Sequence, residues 1–423
     1  LYQENPVQGV LSQRRGASLT LTAGSKDSTA AHLATTALTV GNGAVINVDP
    51  GQGISLRSVG QLTLNGTLNA WGGSVSLGGL TVSQQTWEQP NAIGHDRSIW
   101  VGENALIDVA SRAITAVNNR GDIYGRVSNG GTISIGGQID LATGIAKAGD
   151  VFVVVREGAR LDASGTQAVL DVPGQGRVAV ASNGGSISFA SNNGLYLDGS
   201  FVARAGGAGA AGGSLSLALE SPYYAKNAVN DRVLKVRELV LSQTHQASAL
   251  PGNADPAAVS LEYGHGRLGV DQITAGGFDN LALLSNGLLS FDGDVSLNMG
   301  QSLRLYSTSY NLSEGAASNS RVNLSAPYLL LAGILAPAES GKEAYVRAVP
   351  VLANPSQLVT TAQFNASANL IDVRGSVLFG NKSNLPQANN AQVSLERRGF
   401  DDVQLTSQGD LRFLAGAGAD VVA

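Results

Sequence analysis

Two strings in this chain carry residue types that can hydrolyse a glycosidic bond. One is the carboxylate pair Asp401-Asp402; the other is Gly264-His265-Gly266. Glycoside hydrolysis needs two carboxyl groups flanking the scissile bond, one to protonate the leaving oxygen and one to attack or to activate water. The strings lie 137 positions apart (401 − 264). In a chain of stacked strands that separation places them several strands apart, on the order of 25–30 Å. Asp292 and Asp294 flank Gly293. A lyase would need such acids as part of a Ca²⁺ cluster beside a basic residue, but this trio reads as a turn. No catalytic residue, metal ligand or cofactor is assigned.

Binding has better candidates. Sugar recognition uses aromatic faces beside polar groups. Trp71, Trp87 and Trp100 are the chain's 3 tryptophans, and His95 and Arg97 fall beside the last of them. Tyr223-Tyr224 is a second aromatic site. Core or cap packing competes with binding at each of these positions. Arg120-Gly121-Asp122, between Asn118-Asn119 and Ile123-Tyr124, reads as an exposed turn that a cell-surface receptor could recognise. The small-residue run Gly206–Gly213 lacks the following Lys and helix of a phosphate loop, so it reads as a turn. Asn42, Asn65, Asn183, Asn192 and Asn193 also sit at expected turns.

These residues must be held by short strands. Ser18-Leu19-Thr20-Leu21-Thr22, Ser74-Val75-Ser76-Leu77 and Thr132-Ile133-Ser134-Ile135 alternate apolar residues with hydroxyls, so one face is apolar. The runs end at Gly, Asn or Asp, which supply tight-turn angles. Two strings recur. Val-Gly-x-x-Ala-x-Ile-Asn/Asp-Val starts at 40 and 101, with a looser copy at 155; Gly-Gly-Ser/Thr-apolar-Ser-apolar starts at 72, 130, 184 and 212. A fixed period means a stacked fold. The intervals of 54–61 residues divide into two or three coils of about 20–25 residues, the size of a solenoid rung. The expected architecture is all-β: a right-handed parallel β-helix, with a length on the order of 80–90 Å at about 4.8 Å per strand. Helical periodicity is nearly absent, except that Val229, Val233, Val236 and Val240 form either a helical stripe or a strand pair. Regular repeats are expected over 1–220, 261–307 and 361–423, with excursions at 221–260 and 308–360, where Pro, Tyr, Lys and Arg collect.

The composition of the 423 residues narrows the classes further. Cys is 0, so disulfides and thiolate metal sites are excluded. A hydrophobic fraction of 43% is too high for disorder. Net charge is −5 without a dense basic block, which argues against nucleic acid. No apolar run is long enough to cross a membrane. No signal peptide is visible, and both ends are expected to be cuts through a longer chain.

A second echo runs Gly277-Phe278-Asp279-Asn280-Leu281 to Phe291, and Gly399-Phe400-Asp401-Asp402-Val403 to Phe413. It marks Asp401, like Asp279, as a turn residue. With Phe291-Asp292-Gly293-Asp294-Val295-Ser296-Leu297 and the Gly-Gly-Ser rungs, it resembles the filamentous-haemagglutinin-type exoproteins of Gram-negative bacteria. That resemblance implies a secreted or cell-surface adhesin exported through an outer-membrane two-partner-secretion transporter. Its partners would be polysaccharides or host-cell surface glycans, in biofilm or host contact and virulence. It implies no catalytic residue. An inert stalk is the alternative within that class. A polysaccharide-degrading β-helix enzyme is the alternative outside it: Asp401-Asp402 and Gly264-His265-Gly266 are similar to polygalacturonase active-site strings, though in that family the Asp pair precedes the Gly-His-Gly.

Overall fold

The computed structural model describes residues 2–5, 10–13, 16–28, 35–80, 97–220, 224–225, 237–333, 342–343, 360–380, 397–414 and 418–421. Among them the protein is nearly all β. Twenty-two strands form one hydrogen-bonded sheet, and five more form a second sheet whose strands are all parallel.

Alternation explains how these strands share a core. In the large sheet Leu19 pairs with Ile54, Ile54 with Val75, Val75 with Ile133 and Ile133 with Ile187. The same column continues through Leu215, Leu281, Leu303, Leu329 and Ile371 to Leu411. Two residues further along each strand, a parallel column runs from Leu21 through Leu56, Leu77 and Ile135 to Phe189 and beyond. These side chains are buried except at the ends of the columns. Burying each Leu or Ile contributes roughly 1.5–3 kcal/mol. The intervening Ser55, Ser76, Ser134 and Ser188 take the opposite face of the pleat. In the five-stranded sheet Ile46, Leu68, Ile107, Leu161 and Phe201 stack likewise.

The recurring strings are in register with themselves, but the passes are not of equal length. Val40 pairs with Leu64, Leu64 with Val101, and Val101 with Val155. The interval from 40 to 101 is therefore two passes, whereas the 54 residues from 101 to 155 are one. The expected division into coils of even length fails here. The extra length leaves the sheet as antiparallel hairpins: Ile114–Val117 with Ile123–Arg126, Gly137–Asp140 with Ile145–Ala148, and in the next pass Gln167–Val172 with Gly176–Ala181. Hairpin strands alternate as rungs do, so the period alone hid three excursions within 1–220. Conversely, Glu238–Ser242 and Arg321–Ala332 belong to the large sheet, although they fall in segments read as excursions. Pro327 and Tyr328 lie within the second of these strands. Pro and Tyr, which composition assigns to loops, are strand residues here. Tyr224–Ala225 pairs with Lys342–Glu343. Val229, Val233 and Val236 lie outside the described residues, and Val240 is in a strand. The one described helix, Val270–Gly276, was not expected. The Gln272 side chain accepts from the Gly269 amide at 3.1 Å, and Gly277 ends the helix in the left-handed region.

The Gly-Gly string has a steric cause. A methyl group on Gly73 would lie 1.9 Å from the Gln52 carbonyl oxygen, and one on Gly131 would lie 2.3 Å from that of Gly73. Gly185 meets Gly131 in the same way, and Gly213 meets Gly185. The corner thus stacks backbone on backbone with no room for Cβ.

The hairpin Gly137–Ala148 folds back over the sheet's outer face. Ile139, Leu141 and Ala148 pack against buried Ala190, Ala218, Leu284 and Tyr306. The Tyr306 hydroxyl donates to the Leu141 carbonyl, and Arg374 donates to the carbonyls of Ala142 (2.7 Å) and Thr143 (3.1 Å). Glu220 accepts from the Ala146 amide at 3.3 Å, and burial pushes its carboxyl up to about 7.

Two predictions follow from this packing. Gly131→Ala lowers stability by roughly 1–3 kcal/mol through overpacking, read as a fall in the thermal midpoint; Gly78→Ala, whose methyl meets nothing within 4 Å, leaves it unchanged. Glu220 in the fold holds its proton more tightly than in the unfolded chain. Its stabilising effect is complete below about pH 4.5 and is lost as pH rises to about 7. Glu220→Gln should therefore flatten the decline in thermal midpoint across that window, raising stability at neutral pH by about 3 kcal/mol.

Candidate functional site

Over the outer face of the paired strands Gly194–Leu197 and His265–Gly269 lies a cavity of about 440 Å³. The two strands meet at Leu195 and Gly266, which leaves the outward Tyr196 beside His265. Their rings are 4.9 Å apart and tilted by 32°. The remaining wall comes from the chain between Ser242 and Gly264, which supplies Gln246, Ser248, Leu250, Ser260 and Glu262. Arg267, two residues past His265, lies on the same face of its strand and completes the lining.

That wall is tethered at several points. Asp198 accepts from the Ser248 amide at 2.9 Å and from its hydroxyl, and lies 3.1 Å from His245 Nε2. These partners hold its carboxyl below the usual range although burial opposes them. The Tyr196 hydroxyl accepts from the Glu262 amide at 2.7 Å and donates to the Glu262 carbonyl at 3.3 Å, and burial raises it to about 12. It is therefore a fixed hydrogen-bonding group, not an acid. Burial, and then Arg267, lowers the His265 pKa, so the ring is neutral at neutral pH. Arg267 donates to the Gln246 side chain at 2.6 Å and lies 3.8 Å from Asp292. The cavity thus offers a ring face, a neutral imidazole, an amide, a guanidinium and one carboxylate, Glu262.

The expected site residues fall in several places. Trp100 points to the same outer face as Tyr196 through Val154, but it is 4% exposed. Leu250, Ala254, Val259, Leu261 and Tyr263 cover it, and Arg156 lies over its ring while donating to the carbonyls of Leu250 and Pro251. Trp100 is thus a packing residue beneath the wall of the cavity, not an exposed sugar platform. Arg97 is also buried, at 8%, and donates to the carbonyls of Ser58, Val59 and Asp150. It bonds the backbone, not a ligand. Trp71 is half-buried at a corner, where its indole donates to Asp108 at 3.0 Å under the Arg112 guanidinium. Trp87, His95 and Tyr223 lie outside the described residues, and of Tyr224 only the backbone is described. Arg120-Gly121-Asp122 occupies the exposed tip of the hairpin from Ile114 to Arg126. Asn118 Oδ1 accepts from the amides of Arg120 and Asp122 there, and the left-handed Gly121 makes the turn.

The two hydrolase-like strings are separated. Asp402 begins a strand paired with Gln363–Arg374, whereas His265 begins one paired with Glu238–Ser242. Asp292 and Asp294 accept from Ser313 and the Arg321 amide at adjoining turns. Among the described residues no group of three or more His, Asp or Glu is placed to hold a metal ion. No described helix is long and apolar enough to cross a membrane.

Sequence reasoning singled out Gly264-His265-Gly266 for another chemistry and missed Tyr196 and Gln246. Tyr196 occupies the outward position of Leu195-Tyr196-Leu197, where its alternation was a usable signal. Gln246 lies in a segment without periodicity. No family model, curated protein or solved structure matches the chain.

Proposed function

We propose that the protein is a right-handed parallel β-helix from a secreted, surface-exposed exoprotein of the filamentous-haemagglutinin type, and that it binds carbohydrate without chemistry. The in-register columns support the helix, since successive passes return the chain to neighbouring strands of one stack; an exception to the chain order is His265–Gly269, which lies between Gly194–Leu197 and Glu238–Ser242. Consecutive parallel strands are joined in the right-handed sense by the general rule for such crossovers. The observation that carries binding is the cavity at Tyr196 and His265. Ring faces suit the apolar side of a pyranose, and Gln246, Ser248, Glu262 and Arg267 converge on its hydroxyls. A lone carboxylate in the lining favours holding a glycan over cleaving one. The secretion transporter and a host or biofilm glycan are the partners this reading implies.

An inert stalk is the second reading. It is favoured by the small hydroxyls at Ser55, Ser76, Ser134 and Ser188, which give the outer face of those strands little with which to hold a ligand.

Two measurements test these readings. In native gels containing a panel of polysaccharides, at least one polymer should retard the protein selectively. His265→Ala/Arg267→Ala should weaken that retention by about tenfold, or 1.4 kcal/mol, without producing new reducing ends or unsaturated uronates in either protein. Absence of retardation by every polymer supports the stalk. The exposed Arg120-Gly121-Asp122 turn serves as a receptor tripeptide only if Asp122→Glu lowers host-cell attachment severalfold; unchanged attachment removes that role.

A further inference from the structure

A second concavity lies on a different stretch of the outer face, where Val295–Asn298, Arg321–Ala332, Gln363–Arg374 and Asp402–Ser407 pair in parallel. One outward column is Ser296, Asn323, Asn365 and Gln404. The next is Asn298, Ser325, Ser367 and Thr406. Seven of these eight residues line a shallow depression of about 200 Å³ that no charged side chain lines. Outward positions of several earlier strands carry small hydroxyls, as at Ser55, Ser76, Ser134 and Ser188, whereas these two columns are rich in amides, like the bonded pair Asn47 and Asn69 of the five-stranded sheet.

The amides are oriented. Asn365 donates to Asn323 at 3.0 Å and Ser325 donates to Asn298 at 2.8 Å. Each bond fixes which end of the amide faces up the stack. It also leaves the second amide hydrogen of Asn365 and both of Asn323 unused by those bonds. An amide offers two donors and two acceptor lone pairs, the complement of a sugar's hydroxyl groups. The columns repeat at about 4.8 Å, the spacing between adjacent strands, so the pattern is periodic along the stack. A ligand that uses every step must itself be a repeating chain lying parallel to the stack. The uncharged lining selects against a polyanion, which would need guanidinium or ammonium partners.

We infer that this face binds a neutral, polyhydroxylated polymer laid along the stacking direction, at a site separate from the His265 cavity. The inference shares the carbohydrate class with the proposed function but not the residues, so the two fail independently.

The test uses the whole protein in native gels containing dextran, galactomannan, hydroxyethyl cellulose or, as the anionic counterpart, polygalacturonate. At least one neutral polymer should retard the protein. Asn323→Ala/Asn365→Ala should weaken that retention by about tenfold, and Gly78→Ala, which touches neither site, should leave it unchanged. Because the amide ladder also braces the strands, Ser367→Trp serves as a second variant. It fills the depression without removing either amide bond, and it should abolish retention while the thermal midpoint stays within a degree or two of the parent. Retardation by polygalacturonate alone, retention unchanged in Ser367→Trp, or loss of retention only in His265→Ala would each overturn the inference. So would the absence of retardation by every neutral polymer.

Discussion

Parallel strands stacked in register oblige each side chain to rest on its counterpart one pass away, and the rest of this protein accommodates that constraint. Apolar columns satisfy it inside, because Leu on Ile on Val packs whatever the order. A charge repeated at one column position would set like charges about 4.8 Å apart, and a charged fraction of 14% fits that exclusion. Charges do enter columns where they alternate in sign or acquire partners. Arg304 and Asp372 are both outward on the column step that holds Ser in earlier strands, and Asp372 is clamped by Arg412 at 2.7 and 2.8 Å and by the Tyr328 hydroxyl. Arg412 and Tyr328 together keep the Asp372 carboxyl ionised well below the usual range.

Much of this organisation was legible in the chain, for reasons that can be named. The Gly-Gly string recurs because the corner brings carbonyl oxygens within about 2 Å of where Cβ would be, so no other residue fits there. The Val-Gly string recurs because Val40, Val101 and Val155 occupy one column. What escaped was whatever the column rule does not govern. Hairpins alternate just as rungs do, so their presence within 1–220 left no mark on the period. The helix Val270–Gly276 is too short to show a stripe and is specified instead by its ends, at Gln272 and Gly277. The cavity draws Tyr196, Gln246 and His265 from three separate stretches, and only the wall tethered at Asp198 and Arg156 brings them together. Trp100 misled because residue type says nothing about a later segment folding over it, and Arg97 because residue type says nothing about the carbonyls of Ser58, Val59 and Asp150 that take up its guanidinium.

The outer face thus changes character along the chain. Where it carries small hydroxyls it is nearly featureless. Aromatic or amide side chains on the outer face coincide with something more specific: a covering segment over Trp100 and Phe152, a cavity at Tyr196, an oriented amide pair at Asn323 and Asn365. The apolar interior is common to all of these strands, so differences in recognition rest on the positions that point away from it.

A stack in which each layer bonds only to its neighbours frays from its ends, one layer at a time. The hairpin Gly137–Ala148 departs from that scheme. Through Tyr306 and Arg374 it reaches strands more than 160 positions further along the chain, crossing the intervening layers on the outside. A layer beneath it cannot open without also releasing the clasp on layers to either side. The described strands that lie between Ala190 and Arg374 should consequently exchange their amide hydrogens as one cooperative block, with graded protection confined to the described strands outside it.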